Sequence, residues 1–256
     1  MKKVTTLVAI LVIVFAVNAL KAQTYPVPQF YLHITGGYTY CLPDLKGDYP
    51  ADIQSGKNPT PYFIKNGFNF GADGKYFIDK KRTFGLIASL TYSMLSSGNI
   101  AVSDAALGVG TFNTKMNIFT LGLGAEYDFA PKRPANPFVN FQVITNMFGG
   151  KTTFSSTGGT LGTQNVNSDL SSAVRFGAMF EAGVDVKLSK KIGVVIGGRY
   201  AFANLLGKAY TADSTTSNYN LNDKENGDQK SRKIAYLQFY AGISFYFGQP
   251  IITPKK

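Results

Sequence analysis

The feature that most constrains this chain is an alternation of apolar and polar residues that recurs in eight segments after residue 28. A period of two is typical of β-strands, because successive side chains point to opposite faces of a sheet. On the apolar side of these segments no residue is charged and only Thr145 is polar. The segments are residues 29–40, 67–78, 83–94, 115–129, 138–148, 172–188, 192–204 and 234–247. The sequence therefore predicts an all-β fold in which one face of every strand excludes charge.

The connections between these segments alternate in length. The long connections are residues 41–65, 95–114, 149–171 and 205–232, and the short ones are residues 79–82, 130–136 and 189–191. Long loops then emerge at one end of the strands, and tight turns and both termini lie at the other. Such alternation, with an even number of long strands, is typical of outer-membrane barrels. The sequence predicts an eight-stranded antiparallel up-and-down transmembrane β-barrel with short periplasmic turns and long extracellular loops.

The beginning of the chain has the features of an export signal. Lys2 and Lys3 precede an unbroken apolar run from Leu7 to Val17, and small residues follow it, as in secretory signal peptides. This run is shorter than the ~20 residues that a membrane-spanning helix requires. We expect residues 1–22 to be a cleaved signal peptide, residues 23–248 to form the barrel, and residues 249–256 to form a short periplasmic tail.

The alternation alone leaves open which face of the barrel is outside. A soluble secreted carrier of the lipocalin kind has the same strand pattern, but its apolar face lines a ligand cavity. Here the polar face consists mainly of Gly, Ser, Thr, Asn and Gln, whereas a water-exposed surface is usually about 25–35% charged. Aromatic residues of the apolar face also collect near the strand ends, as in the girdles at membrane interfaces. Both observations favour an apolar face in lipid, and the soluble carrier stays the alternative.

The composition excludes several kinds of disulfide, metal and catalytic site. The chain contains one cysteine, Cys41, and one histidine, His33, so neither an internal disulfide nor a site of several cysteines or histidines can form. We expect no enzymatic activity, no cofactor and no metal site.

The formal net charge is +11, but in an exported protein this does not indicate nucleic-acid binding. Nine cations fall at the turns or the carboxyl end, where anionic lipid head groups and a solvated rim are both possible explanations: Lys80, Lys81, Arg82, Lys132, Arg133, Lys190, Lys191, Lys255 and Lys256.

Charged residues on the polar face are the candidate site residues. If Leu188 pairs with Ile192 across the tight turn, Glu181 lies opposite Arg199, which predicts an ion pair at mid-height in the lumen. We interpret the set as a structural plug, with gating of a narrow polar path as the alternative. The predicted lumen charges are Asp73, Lys75, Glu126, Asp128, Arg175, Glu181, Asp185, Lys187 and Arg199.

The last predicted strand contains a short motif with a polar residue, a glycine and two aromatic residues spaced by one. Its residues are Tyr240, Gly242, Phe245 and Phe247. With this motif, the chain from 23 to 248 resembles the small outer-membrane β-barrel superfamily that includes the OmpA transmembrane domain and OmpX, in the style of Bacteroidetes sequences. The resemblance implies that the motif is an assembly signal for the barrel assembly machinery, and that the barrel contacts outer-membrane lipid and lipopolysaccharide. Two departures are the nine residues Gly248–Lys256 after the last aromatic residue and the lack of a peptidoglycan-binding domain.

The expected function follows from the architecture. Eight strands enclose a lumen that side chains can fill, so we expect an integral outer-membrane protein with a structural or surface-interaction role. An extracellular ligand would bind through loops 41–65, 149–171 and 205–232. The alternatives are a narrow pore for small polar solutes or ions, and a soluble carrier of an apolar ligand.

Overall fold

The structure is a computed structural model that describes residues 27–49, 51–58, 60–104, 108–160, 162–208, 220–221, 223–224 and 230–248. The predicted signal peptide 1–22 and the predicted tail 249–256 lie outside the described residues, as do residues 209–219, 222 and 225–229 of the predicted loop 205–232.

Strands dominate the described part of the chain. Two short helices occur in the first long connection, α1 (Pro43–Lys46) and α2 (Ala51–Gln54). Neither of these helices is long and apolar enough to cross a membrane, and no other helix is present among the described residues. The strands are β1 (Phe30–Cys41), β2 (Asn66–Phe77), β3 (Phe84–Ser96), β4 (Ile100–Asp104), β5 (Gly108–Asp128), β6 (Ala135–Gly158), β7 (Gln164–Lys187), β8 (Ile192–Phe202) and β9 (Ala235–Phe247).

Eight of these strands form a closed ring. The order is β3-β2-β1-β9-β8-β7-β6-β5, and pairing of β3 with β5 closes it. All pairs are antiparallel, and the first and last strands pair along their whole length, from Phe30 opposite Phe247 to Cys41 opposite Tyr236. Strand β4 pairs with β5 and lies outside the ring. The prediction of an eight-stranded antiparallel up-and-down barrel is confirmed. We call the two ends of the barrel the long-loop end and the turn end.

The two faces of each strand have the expected orientation. In β1, Tyr31, His33 and Thr39 are buried inside the ring, whereas Ile34 and Tyr38 are 54% and 40% exposed on its outer surface. The same alternation of buried and exposed residues runs through β3, β6 and the ring part of β5. Large exposed apolar side chains around a closed barrel are stable only in an apolar solvent. The soluble-carrier alternative is therefore wrong.

Two connections differ from the prediction. Most of the predicted loop 149–171 is strand, because β6 continues to Gly158 and β7 begins at Gln164. The predicted loop 95–114 contains β4 and the first residues of β5. We call residues 108–118, 149–158 and 164–173 the strand extension, which pairs continuously apart from a register shift between Phe148 and Gly150.

The composition of the outer face explains why the sequence pattern did not reveal this extension. In β5 the outward positions change from Phe119 to Asn117 and Lys115, and in β6 they change from Met147 to Lys151. Backbone pairing continues past this level, but the outer face there is polar, as expected of strands that have left the lipid. The apolar alternation therefore stops at the level where the strands leave the membrane, although the strands themselves continue beyond it.

Candidate functional site

The lumen is the candidate site, since all nine predicted charged residues point into it. Each of them is at most 7% exposed. Such charges are stable only when they are paired and hydrogen-bonded. The contacts divide them into three groups, at mid-height, at the turn end and at the long-loop end.

The mid-height group centres on Arg199 of β8. Its guanidinium forms ion pairs with Asp73 of β2 and, at 3.1 Å between Nε and Oε2, with Glu181 of β7. It also donates to Thr91 Oγ1 at 3.3 Å and lies 4.3 Å from the centre of the Tyr240 ring. Glu181 lies opposite Arg199 in the β7–β8 register, so the predicted pairing is confirmed. The sequence did not reveal Asp73 as the second partner, because β2 and β8 are not neighbours in the ring.

The turn-end group surrounds the buried ammonium of Lys75. It forms an ion pair with Glu126 and lies 3.4 Å from Asp128 Oδ1. The same ammonium is 4.6 Å from the Tyr31 ring centre and 5.0 Å from that of Phe138. The Phe77 ring centre is also 5.4 Å away, so two carboxylates and three aromatic faces replace the water that this cation loses on burial.

Lys187 and Asp185, from the end of β7, complete the turn-end group. Lys187 donates to the carbonyl oxygen of Pro131 at 2.6 Å. Asp185 accepts hydrogen bonds from Ser244 Oγ at 2.9 Å and Tyr246 Oη at 2.7 Å, and its other oxygen lies 3.6 Å from His33 Nε2. Since Asp185 lies between serine and histidine, His33 is not placed to accept the serine proton as a catalytic triad requires.

Arg175 of β7 anchors a loop at the long-loop end. Its Nε and Nη2 donate to both carboxylate oxygens of Asp223 at 2.8–3.0 Å, and Nη2 also donates to the Leu221 carbonyl at 3.1 Å. Asn204 Nδ2 donates to Asp223 Oδ2 at 3.0 Å. The sequence analysis did not identify Asp223 as a site residue. The signal for it was that no acidic residue lies beside Arg175 on the barrel wall, which indicates a partner outside the wall.

At the long-loop end, most of the inward face around the Arg175–Asp223 pair is apolar, a feature that the sequence analysis did not predict. Four side chains from the connections, Leu45, Tyr62, Ile64 and Leu221, pack here into one buried cluster. We call this cluster the apolar plug. Its wall residues are Cys41, Leu95, Met116, Ile118, Ile144, Phe148, Leu170, Met179, Ala201, Ala203, Ile234 and Tyr236.

The residues of the predicted assembly signal lie along β9. Gly242 occupies a close approach to β1, where an added Cβ would come within 2.2 Å of the Ile34 carbonyl oxygen. Phe247 points outward, 49% exposed, with its ring centre 5.8 Å from that of Phe30. Tyr240 points inward and donates a hydrogen bond to Glu181. Tyr240 and Gly242 therefore have structural roles, and the assembly role of Tyr240, Gly242, Phe245 and Phe247 stays a prediction.

One titratable group of the turns has a shifted pKa. Burial opposes ionisation of Asp79, but the N–H groups of Phe84 and Thr83 each donate to its Oδ1 at 2.9 Å and the Thr83 hydroxyl donates to Oδ2. These bonds hold the pKa of Asp79 below its ordinary value. The carboxylate is thus fully engaged in closing the β2–β3 turn.

A closed barrel with an apolar exterior and a packed polar interior defines an integral membrane protein of the outer-membrane type. A family model, the outer membrane protein beta-barrel domain, matches residues 7–247. The chain belongs to this family, and it is localised in the outer membrane of a Gram-negative cell envelope. Its surroundings are accordingly outer-membrane lipid and lipopolysaccharide.

The solved structures that this chain is similar to include small outer-membrane barrels. Neisserial surface protein A shares 15% identity, with a TM-score of 0.45 and coverage of 86% of this chain and 97% of that one. OprG from Pseudomonas aeruginosa shares 12% identity, with a TM-score of 0.43 and coverage of 88% and 98%. Ail, the attachment invasion locus protein of Yersinia pestis, shares 14% identity, with a TM-score of 0.39 and coverage of 85% and 99%. A search of curated proteins gave no match.

Proposed function

We propose that this protein is a closed, non-conducting and non-enzymatic barrel whose role is to hold a rigid interaction surface outside the membrane. The observation that carries the proposal is the filled lumen: ion-paired side chains occupy the turn end and mid-height, and the apolar plug occupies the long-loop end. Ions would have to cross both levels to be conducted, and the mostly apolar side chains of the plug offer them few hydrogen-bonding groups in place of water.

The interaction surface would be the strand extension together with loop 41–65. The outward face of the extension is polar, with exposed Lys115, Lys151 and Asp169 side by side on three strands. On the inner face, Phe112 stacks on Tyr49 with ring centres 6.4 Å apart. The loop thus rests against the extension, and this arrangement supports a surface that is ordered before a partner binds.

Planar-bilayer recording of the purified barrel tests closure. We expect no resolved channel openings for the wild-type chain or for Lys151→Gln, a control on the outer surface. Steady conductance of the wild type would overturn the proposal of a closed barrel.

A narrow pore is the second candidate, favoured by buried polar atoms without a hydrogen bond among the described residues. Asp73 Oδ1, Asp185 Oδ2 and His33 Nε2 are of this kind. The lumen below the plug also holds five carboxylates against three Lys or Arg cations: Asp73, Glu126, Asp128, Glu181 and Asp185 against Lys75, Lys187 and Arg199. A water-filled, cation-selective path would use both features, and its conductance would change in Glu181→Gln or Arg199→Gln.

Surface labelling of intact cells tests the presentation of the extension. A membrane-impermeant amine reagent should label Lys115 and Lys151 on whole cells, and Lys190 and Lys191 after the outer membrane is permeabilised. Buried Lys75 should react after denaturation. Protection of Lys115 and Lys151 on whole cells would contradict the proposed surface.

A further inference from the structure

The turn end carries an excess of positive charge that the barrel itself does not neutralise. Its three turns contain six exposed cations, Lys80, Lys81, Lys132, Arg133, Lys190 and Lys191. Arg82 is engaged in the structure, since it donates to the carbonyl oxygen of Val27 at 2.8 Å. The only acidic residue in these turns is Asp79, whose carboxylate is occupied by Thr83 and Phe84.

Two of these cations border an apolar groove. Lys190 and Lys191, in the β7–β8 turn, line a depression of about 540 Å³ together with Ile192, Phe245 and Phe247. This depression lies on the outer surface between β8 and β9. It places two positive charges at one end of a surface that is otherwise apolar.

The backbone beneath these lysines is held in place. Ser189 Oγ accepts hydrogen bonds from the N–H groups of Lys191 at 3.2 Å and Ile192 at 3.0 Å. The Lys191 carbonyl oxygen accepts a bond from Tyr246 N–H at 2.9 Å, which ties the turn to β9. Both side chains therefore start from an ordered turn beside the groove, which reduces the entropy lost when a ligand binds.

The groove lies at the level of a membrane interface. Exposed aromatic side chains lie at the turn end of several strands, among them Tyr76, Phe84, Tyr127 and Phe247. Such girdles mark the boundary between acyl chains and head groups. A ligand held here would have apolar chains against Ile192, Phe245 and Phe247, and an anionic group beside the lysines.

We propose that the β7–β8 turn and the β8–β9 groove form a binding site for an anionic glycerophospholipid of the periplasmic leaflet. The two ammonium groups pair with the head-group phosphate, and the groove accepts the upper part of an acyl chain. A zwitterionic lipid binds less well, because its own cation competes with the lysines for the phosphate. The remaining turn cations contribute a general attraction that does not depend on the groove.

The test measures binding of phosphatidylglycerol to the folded, delipidated full chain in neutral detergent, by native mass spectrometry, with phosphatidylethanolamine as the comparison lipid. Lys190→Gln/Lys191→Gln should weaken phosphatidylglycerol binding about 30-fold, since each lysine near anionic lipid contributes about fivefold. Lys80→Gln/Lys81→Gln removes the same charge from the β2–β3 turn and should weaken it less than about fivefold. Lys190→Arg/Lys191→Arg should keep the wild-type affinity.

Three results would overturn the proposal. Equal binding of the two lipids by the wild type would show no site for an anionic lipid. Equal losses in the two glutamine pairs would show a diffuse rim attraction in place of a site. Displacement of phosphatidylglycerol by millimolar inorganic phosphate would show a site for free phosphate.

A measurement on the wild type alone keeps the test informative if the glutamine variants fold poorly. Spin-labelled phosphatidylglycerol in vesicles should show a motionally restricted fraction that exceeds that of spin-labelled phosphatidylethanolamine. This excess should disappear in about 1 M salt, where charges are screened within about 3 Å. An excess that persists in salt, or no excess at all, would count against the site.

Discussion

The two ends of the lumen are filled in different ways. The turn end and mid-height use charges fixed on the barrel wall, as Arg199, Lys75 and their carboxylate partners all belong to strands. The long-loop end is filled mainly by apolar packing, with Leu45, Ile64 and Leu221 from the connections, and its one ion pair, Arg175 with Asp223, also depends on a loop residue. Closure of the strand ring thus completes the charged groups at the turn end and mid-height, whereas the apolar level is complete only when the loops are in place.

This difference has consequences for stability. A buried ion pair contributes little net stability, but removing one partner leaves a costly unpaired charge. Apolar packing loses free energy in proportion to the atoms removed and the cavity that remains. The charged level should therefore respond sharply to single substitutions that break a pair, and the plug should respond locally, through the loop whose residue is removed.

The largest effect is expected for Arg199→Leu, which leaves Asp73 and Glu181 buried without their cation. We expect a loss of about 3–5 kcal/mol, measured as the urea concentration at which the heat-modifiable gel band of the folded barrel disappears. The matched control is the triple variant Arg199→Leu/Asp73→Asn/Glu181→Gln, which removes the charges together and should recover most of the loss. An unchanged transition in Arg199→Leu would mean that water fills this level.

The next effect concerns the plug. Leu45→Ala should cost about 2–5 kcal/mol and should free loop 41–65 before the barrel unfolds, because Leu45 is the buried contact of α1. Limited proteolysis within the loop measures this opening. Ile53→Ala, which alters a half-exposed side chain of α2 in the same loop, should leave cleavage unchanged. Equal cleavage of the wild type and Leu45→Ala would mean that Leu45 does not hold the loop against the plug.

A smaller effect is expected for Asp223→Asn. This substitution weakens the bidentate contact with Arg175. It should lower the free energy of unfolding by about 1.5–3 kcal/mol, the range for hydrogen bonds to charged groups. Proteolysis within residues 205–232 should become faster, and the adjacent exposed control Lys224→Gln should behave as the wild type. If Asp223→Asn resists protease as well as the control, Arg175 does not anchor the loop.

The smallest effect concerns the β2–β3 turn, outside both levels. The pKa of Asp79 is lower in the folded chain, so its contribution is present above the unfolded value of about 3.9 and is lost as the pH falls through the folded value. Asp79→Asn should be less stable than the wild type at neutral pH by about 1 kcal/mol or less, and the difference should vanish in acid. A difference that stays constant across this pH range would assign the effect to shape and not to charge.

The barrel was predictable because the membrane imposes a pattern on every strand. The alternation gave the ring strands, and the tight β7–β8 turn fixed the register that pairs Glu181 with Arg199. Contacts across the lumen, such as Arg199 with Asp73, were not predictable because they join strands that are not neighbours. The strand extension and the plug were missed because beyond the membrane the outer face becomes polar and the inner face apolar, which weakens the pattern.

The most direct test of a sealed lumen uses the single native cysteine. Cys41 ends β1 within the apolar plug and is fully buried. We predict that a water-soluble maleimide leaves Cys41 unmodified in the folded barrel in vesicles and modifies it completely after heat denaturation. Modification of Cys41 in the folded barrel as fast as in the denatured chain would contradict a lumen closed by the plug.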